Sequence, residues 1–116
     1  MSNQNCIFCN IVSGHLPSDI VYRDNITTAF REKYPIAPVH ILIVPNQHFD
    51  SMNQLNENQK EILGHLLITA RQIAIDQGVE ETGYRVVINT GPDARQSVFH
   101  LHLHLIAGKP LEYHVR

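Results

Sequence analysis

His100, His102 and His104 alternate with apolar residues in the stretch 99–106. Alternation with a period of two predicts a β-strand that carries the three imidazoles on one face. Phe99 and the leucines between the histidines then occupy the opposite face, which can enter a core. Imidazole changes protonation near neutral pH, attacks as a nucleophile and binds metals. Such a row on one strand is therefore a candidate for chemistry.

The histidine row has two other interpretations. A single histidine on a strand is commonly only a half-exposed polar residue. A metal site made from the row alone is a second alternative, because tetrahedral zinc accepts several histidines. Residues two apart on one flat strand seldom bring all three rings onto a single ion. The pattern therefore favours a chemical role for at least one of the three.

Cys6 and Cys9 form a Cys-x-x-Cys pair and are the only cysteines in the chain. A secreted disulfide framework needs more cysteines than this. A thioredoxin-like redox pair is expected after a strand in a βαβ unit, which the surrounding sequence does not provide. Two buried free thiols and half of a tetrahedral zinc shell remain as the two interpretations.

The hydrophobic pattern predicts two helices and about five strands. A short helix over 6–13 ends at Gly14, and a long helix over 56–77 begins at Asn56, with Gln59 in a capping box. The predicted strands cover residues 20–23, 26–31, 40–44, 84–89 and 98–106. This order predicts an α+β fold with an antiparallel meander sheet, one long helix and a short N-terminal helix.

The chain of 116 residues is expected to form one domain over 1–116. A net charge of −2 and few aromatic residues argue against a nucleic-acid partner. Residues 1–5 are polar and do not resemble a signal peptide, and the apolar runs are too short to span a membrane. Cytoplasmic residence without a membrane partner is the default expectation.

The pattern His-φ-His-φ-His-φ-φ, in which φ is apolar, resembles the histidine triad family. The segments 17–22, 37–45 and 83–89 agree with that family in sequence and spacing, so the resemblance runs from about Cys6 to about Gly108. The chain is most similar to the branch of small nucleotide-binding proteins and purine nucleoside phosphoramidases. The resemblance also implies a homodimer in which two five-stranded sheets join into one continuous sheet.

The resemblance implies a role for each triad histidine and for the loop before them. His102 matches the nucleophile that takes up a nucleoside monophosphate, and His104 matches a donor to the phosphate oxygens. His100 matches the histidine that orients the nucleophile or holds zinc. Ser97 matches a hydroxyl that protonates a departing amine. Two further residues, Gln96 and Asn89, match contacts to the phosphate or ribose.

A structural zinc ion is also implied, and no redox cofactor. Its ligands would be Cys6, Cys9, His48 and His100. The purine would lie among apolar side chains, for which the matching residues are Ile7, Phe8, Ile11, Phe30 and Leu42. Phe8 and Phe30 are the strongest of these candidates.

Two positions depart from the family pattern. Glu32 stands where an aspartate usually binds the ribose hydroxyls, and Lys33 follows it where an apolar residue is common. Arg95 stands where glycine often precedes the glutamine, and we expect this change to remove the freedom to adopt positive φ. Arg95 could instead contribute a phosphate contact. These changes concern substrate preference and leave the basic chemistry intact.

The function implied is hydrolysis of nucleoside phosphoramidates or related conjugates, at a P–N or phosphoanhydride bond, through a covalent nucleotidyl-histidine. The product would be a purine nucleoside monophosphate. One alternative is a dinucleoside polyphosphate hydrolase. Another is a zinc-stabilised nucleotide-binding module with little turnover, which would keep the metal ligands and tolerate loss of His102.

Overall fold

The computed structural model describes residues 5–113, and the residues outside this range include most of the polar segment 1–5. It has an α+β fold with one five-stranded antiparallel sheet and two helices. The elements are α1 (Ile7–Ser13), β1 (Ile20–Arg23), β2 (Thr27–Arg31), β3 (Val39–Pro45), α2 (Lys60–Asp76), β4 (Tyr84–Val87) and β5 (Leu103–Ala107). Among the helices within residues 5–113, none is long and apolar enough to cross a membrane.

The strand order is β1-β2-β3-β5-β4, so the predicted simple meander is wrong at its last two strands. β5 pairs with β3 and with β4, which leaves β4 at the edge of the sheet. Four of the five β5 residues are buried, whereas β4 is half-buried to exposed. Burial of apolar surface is favourable, and β5 has more of it to bury than β4. The sheet is therefore more stable with β5 in the position that is covered on both faces. His104 on β5 is thereby placed opposite Leu42 in the middle of the sheet.

The two helices pack on opposite faces of the sheet. α2 covers one face, where its buried residues Leu66, Ala70 and Ile73 join a core with residues of β3 and β5. Leu67, the residue after Leu66 along α2, is exposed. On the other face α1 packs over Phe30 and neighbouring β3 residues. α1 is short, so a cavity of about 810 Å³ lies over the β4–β5 side of this face.

The helix ends follow the predicted signals closely. Gly14 ends α1 with φ +85°, a conformation that glycine adopts without steric cost. Asn56 and Gln59 form the expected capping box, although the first turn after Asn56 is a 3₁₀ turn, Glu57–Gln59, that leads into α2. The capping box thus lies at the predicted residue, whereas the α-helix itself begins four residues later, at Lys60.

The histidine row is only partly on a strand. β5 begins at Leu103 rather than at residue 98, because the amide of Leu101 donates to the Phe49 carbonyl at 2.7 Å and not to a neighbouring strand. Phe99 is 57% exposed, so the expectation that it enters the core is wrong. His100 is fully buried. The predicted strand 84–89 similarly ends at Val87.

Candidate functional site

His102 lies immediately before β5 and is buried against α1. The ring of Phe8 meets its imidazole edge-on, with centroids 5.1 Å apart, and the ring centroid of His104 is 5.0 Å away. His102 Nδ1 is 2.7 Å from the carbonyl oxygen of His100. A carbonyl can only accept, so Nδ1 carries the proton and the neutral ring keeps a lone pair on Nε2. Burial lowers the pKa of His102, which favours this neutral form.

His104 has the opposite tautomer, and His40 sets it. The amide of Ile36 donates to His40 Nδ1 at 3.2 Å, so the proton of neutral His40 lies on Nε2. That proton is donated to His104 Nδ1, 3.0 Å away. The remaining proton of His104 then lies on Nε2. A lone pair on His102 and a donor on His104 stand side by side, which is the arrangement that a nucleophile and an oxyanion donor require.

His40 is a site residue that the sequence analysis missed. His40 begins the predicted strand 40–44, whose other residues are apolar. A histidine among apolar neighbours was the signal that could have identified it. A polar ring in an otherwise buried apolar strand needs a hydrogen-bond partner, and the structure provides one from each side. Burial lowers the pKa of His40, so the ring stays neutral and keeps its tautomer at neutral pH.

The 810 Å³ cavity lies directly beside these rings. His40, His104, Asn89 and Arg85 contribute its polar groups, and aliphatic residues of β4 and β5 line the rest. Its volume lies within the range of about 300–1,000 Å³ that is usual for small-molecule sites. The predicted residues Asn89 and His104 are thus brought to one cavity, and their nucleotide contacts stay predictions.

Gln96 is buried in the loop before the triad and holds that loop in shape. Its side-chain amide donates to the carbonyls of Asp50 and Val98, at 2.7 and 3.0 Å, and its oxygen accepts from the Gly91 amide at 3.0 Å. The amide is therefore engaged by the protein backbone, and the predicted phosphate contact of Gln96 stays a prediction. Ser97 follows on the exposed surface of the same loop.

Arg95 adopts φ +63° in this loop. The expectation that an arginine would remove the positive-φ freedom of glycine is therefore wrong. The loop keeps the left-handed conformation despite its steric cost of about 1–2 kcal/mol, because Gln96 ties both sides of the loop to the backbone. Such strain is often found beside functional sites.

The predicted purine-contacting residues fall into two groups. Phe8 and Phe30 are buried and meet edge-on, with ring centroids 5.3 Å apart, so they contribute packing as well as any ligand contact. Ile7, the residue before Phe8, has 53% of its surface exposed and is accessible to a ligand. Glu32 is half-buried, and its carboxylate raises the pKa of His104 against the larger lowering by burial.

Cys6, Cys9, His48 and His100 converge, and their ligand atoms all lie within 4.8 Å of one another. His100 Nδ1 is 3.3 Å from Cys6 Sγ and 3.4 Å from Cys9 Sγ, and His48 Nδ1 is 3.2 Å from Cys9 Sγ. Tetrahedral bonds of usual length to zinc would set N–S separations of about 3.5 Å. This group therefore has the dimensions of a tetrahedral metal site.

The outer nitrogens of both histidines have acceptors. His100 Nε2 donates to the Pro45 carbonyl at 2.9 Å, and His48 Nε2 donates to the Asp50 carboxylate at 2.7 Å. The two Nδ1 atoms consequently direct lone pairs at each other across 3.2 Å. A cation relieves that repulsion, and an oriented His₂Cys₂ set with acceptors behind its imidazoles is typical of zinc. The residues fit a zinc ion.

Burial affects both kinds of ligand in this cluster. It lowers the pKa of His100 to about 4, so the imidazole is neutral and ready to bind a metal at neutral pH. It raises the pKa of the Cys6 thiol, so the thiolate that zinc requires is formed when a cation is present. Both pKa shifts are compatible with a bound metal cation at this cluster.

Comparison with known proteins places these features in a family. The family profile described as "Scavenger mRNA decapping enzyme C-term binding" matches residues 5–112. The chain is 43% identical over 105 residues to the purine nucleoside phosphoramidase of Escherichia coli strain K12, a match that covers 90% of this chain and 88% of that protein.

Solved structures share the fold. A histidine triad protein from Clostridium difficile matches with a TM-score of 0.96 and 41% identity, over 99% of this chain and 100% of that one. A zinc-bound histidine triad family protein from Mycobacterium smegmatis matches with a TM-score of 0.81 and 28% identity, over 90% of this chain and 76% of that one. The row of alternating histidines, the sheet that carries it and these relatives all agree, and the chain therefore belongs to the histidine triad family.

Proposed function

We propose that this protein hydrolyses nucleoside phosphoramidates and releases a purine nucleoside monophosphate. The observation that carries the proposal is the pair of opposite tautomers, a lone pair on His102 Nε2 beside a proton on His104 Nε2. The Escherichia coli relative named a purine nucleoside phosphoramidase supports the same substrate class.

The proposed reaction has two displacements at phosphorus. His102 Nε2 forms a bond to phosphorus while the P–N bond breaks, and the departing nitrogen takes a proton from Ser97. Water then attacks phosphorus, the bond to His102 breaks, and Ser97 regains a proton from that water. The net reaction adds one water and gives an amine and a nucleoside monophosphate. His104 Nε2–H stabilises the negative charge on the phosphate oxygens in both steps.

The remaining predicted residues would hold the nucleotide. Glu32 would accept from the ribose hydroxyls, and Asn89 would contact phosphate or ribose from the cavity wall. Gln96 would act through the loop that it holds. The apolar side chains Ile7, Phe8 and Phe30 would contact the base.

The test is turnover of adenosine 5′-phosphoramidates by the purified protein, measured as release of AMP. Guanosine and cytidine analogues with the same amine measure the preference for a purine. Because the P–N bond of a nucleotidyl-histidine is cleaved in acid and persists in alkali, the reaction is quenched with alkaline denaturant, and intact mass is expected to show a nucleotidyl adduct on the protein. Tight nucleotide binding without turnover of any phosphoramidate would instead support the binding-module alternative.

His40 is expected to act as a positioning residue for His104. His40→Ala removes the donor to His104 Nδ1, so the His104 ring can rotate or change tautomer. We expect kcat to fall about 10- to 100-fold, as when groups that orient an imidazole are lost elsewhere, with KM changed little. His40→Gln keeps a side-chain donor and is expected to recover part of kcat. Equal losses in both variants, accompanied by a lower melting temperature, would indicate a merely structural role.

The activity is expected to persist into acid. Burial, and then the neighbouring His102 and His40, lower the pKa of His104 to about 4 from an ordinary 6.5. Between these two values the unfolded chain binds more protons than the folded one, so the free energy of unfolding decreases as the pH falls. His104 itself becomes charged only near the lower value, and burial also lowers the pKa of the nucleophile His102. A pH–rate profile whose acid midpoint lies near 6.5 would contradict this.

We further propose that Cys6, Cys9, His48 and His100 hold a structural zinc ion. Zinc would cross-link the start of α1 to His48, in the segment after β3, and to His100, in the segment before β5. The zinc-bound relative and the dimensions of the cluster support this assignment.

We also propose a homodimer formed through β4. This strand is at the edge of the sheet, paired on one side only, and an unprotected edge is a template for a second strand. Sedimentation of the full chain is expected to give twice the monomer mass. A strand-breaking substitution such as Val86→Pro would lower that mass if β4 forms the interface.

A further inference from the structure

Cys6 and Cys9 are the only two cysteines of the chain, and their sulfur atoms lie close together. The ligand atoms of the metal cluster are all within 4.8 Å of one another, which sets the same upper limit on the distance between the two sulfurs. The Cys9 amide donates to Cys6 Sγ at 3.3 Å, so the Cys6 side chain is held over the backbone of Cys9. The cluster therefore contains two thiols that are placed to react with each other.

A bound metal and a disulfide need different distances between these sulfurs. Two tetrahedral bonds to zinc hold sulfur atoms about 3.8 Å apart, whereas a disulfide joins them at about 2.05 Å. Cys6 precedes α1 and has an extended backbone, with φ −96° and ψ 116°, so rotation of its side chain leaves the helix backbone in place. Each state excludes the other, because a sulfur in a disulfide lacks the thiolate charge that binds the metal.

A small oxidant meets Cys6 before Cys9. Cys6 lines a second cavity, of about 300 Å³, together with Asp50 and Ser97, and 7% of its surface is exposed. Cys9 is not among the residues that line this cavity and is 3% exposed. Its sulfur is covered by the rings of His48 and His100, whose Nδ1 atoms are 3.2 and 3.4 Å away. An oxidant as small as hydrogen peroxide can therefore reach Cys6 through the cavity.

We propose that Cys6 and Cys9 form a redox modification site, at which hydrogen peroxide produces an intrachain disulfide that expels the metal. The disulfide rests on the positions of the two sulfurs alone. The expulsion rests also on the proposed zinc ion. Neither depends on the phosphoramidase activity, so the two proposals succeed or fail separately.

The reaction has two steps. The Cys6 thiolate attacks one oxygen of the peroxide, the O–O bond breaks, and the hydroxide that leaves is protonated to water. Cys6 is then a sulfenic acid. The Cys9 thiolate attacks the Cys6 sulfur, the S–O bond breaks, and a second hydroxide is protonated to water. The two thiolates lose two electrons, the peroxide gains them, and solvent supplies both protons.

Oxidation would leave too few ligands for zinc. His48 and His100 alone remain of the four groups, whereas a structural zinc ion is bound by four. The start of α1 then loses its link to the segments that carry the two histidines. The oxidised protein is therefore expected to melt at the same temperature as reduced protein from which zinc has been chelated.

The experiment treats zinc-loaded protein with hydrogen peroxide in the presence of a colorimetric zinc indicator and follows the intact mass. We expect one zinc to be released per chain as the apoprotein becomes about 2 Da lighter than its reduced form, the loss of two hydrogens. A dithiol reductant should reverse both changes. Met52 is 40% exposed, and its oxidation is distinguished because a sulfoxide adds about 16 Da.

Cys9→Ser and Cys6→Ser are matched variants, since each removes one metal ligand and leaves one thiol. In Cys9→Ser, Cys6 is expected to form a sulfenic acid that dimedone captures. In Cys6→Ser, the covered Cys9 is expected to react about tenfold more slowly, because access to the sulfur controls its oxidation. Equal rates in the two variants would overturn the assignment of Cys6 as the sulfur that is attacked.

The other outcomes are equally decisive. Chains linked in pairs, or a sulfinic acid formed in place of the disulfide, would overturn the intrachain product. Zinc that stays bound to the disulfide form would overturn the expulsion. Thiols that stay free while Met52 is oxidised would overturn the modification site altogether. Reduced protein that binds no zinc, yet forms the disulfide, would overturn the zinc assignment and the expulsion and support the disulfide.

Discussion

Replacement of His102 by alanine is expected to lower kcat/KM for an adenosine phosphoramidate by about four to six orders of magnitude, the loss seen when a catalytic nucleophile is removed. The reason is structural as well as chemical. His102 Nε2 has its lone pair because Nδ1 is committed to the His100 carbonyl, and no other described group beside the His104 donor has a free lone pair fixed in this way. The measurement is release of AMP under single-turnover and multiple-turnover conditions.

His15→Ala is the matched control, since His15 is exposed and its ring bonds only to Ser13 among the described residues. It should retain the wild-type rate. His102→Gly leaves space for a free imidazole, and added imidazole is expected to restore part of the activity by attacking phosphorus in place of the side chain. Turnover by His102→Ala within tenfold of wild type would remove His102 from the nucleophile role.

Local sequence signals predicted the elements that position this site. Gly14 marks the end of α1 because a left-handed residue is needed there, and the Asn56 capping box marks the start of the long helix because both partners lie within four residues. These signals depend on neighbours in sequence. The order of β4 and β5 depends instead on which strand gains more from the central position, a comparison between distant segments.

The candidate site also combines features set by neighbouring residues with features set by distant ones. The alternation at 100–104 pointed to the three imidazoles, but their tautomers depend on partners that are far apart in the chain. His40 and His104 are separated by 64 positions, and the strand pairing of β3 with β5 brings them together. The alternation also suggested a strand through all three histidines, whereas the bond from Leu101 to Phe49 diverts the first part of that segment.

Removal of zinc is expected to produce the largest change in stability. Zinc would join α1 to His48 and His100, and Cys6 and His100 are 94 positions apart. Zinc bound at a thousand times its dissociation constant would add about 4 kcal/mol to the free energy of unfolding. For a chain of this length, that corresponds to a fall in melting temperature of about 10–20 °C on chelation. Elemental analysis of the purified protein should give one zinc per chain.

The variant Cys6→Ser distinguishes the two roles of Cys6, as a metal ligand and as the N-cap of α1. Cys6 Sγ accepts from the Cys9 amide at the start of α1, and serine at the same position is a good N-cap. The variant should therefore melt lower than wild type in zinc, because one ligand is lost, and should match wild type once both are chelated. Equal melting temperatures in the presence of zinc, or no change on chelation of wild type, would contradict the zinc assignment.

Zinc removal also bears on the nucleophile, because His100 takes part in both sites. Its ring belongs to the metal cluster while its carbonyl holds the proton of His102 Nδ1. Freed of the metal, the His100 ring is held by the Pro45 carbonyl alone among these anchors, and its backbone can shift. We therefore expect chelation to lower kcat at temperatures where the protein is still folded, with readdition of zinc restoring it. Unchanged kcat in folded, zinc-free protein would show that the cross-link stabilises α1 without positioning His102.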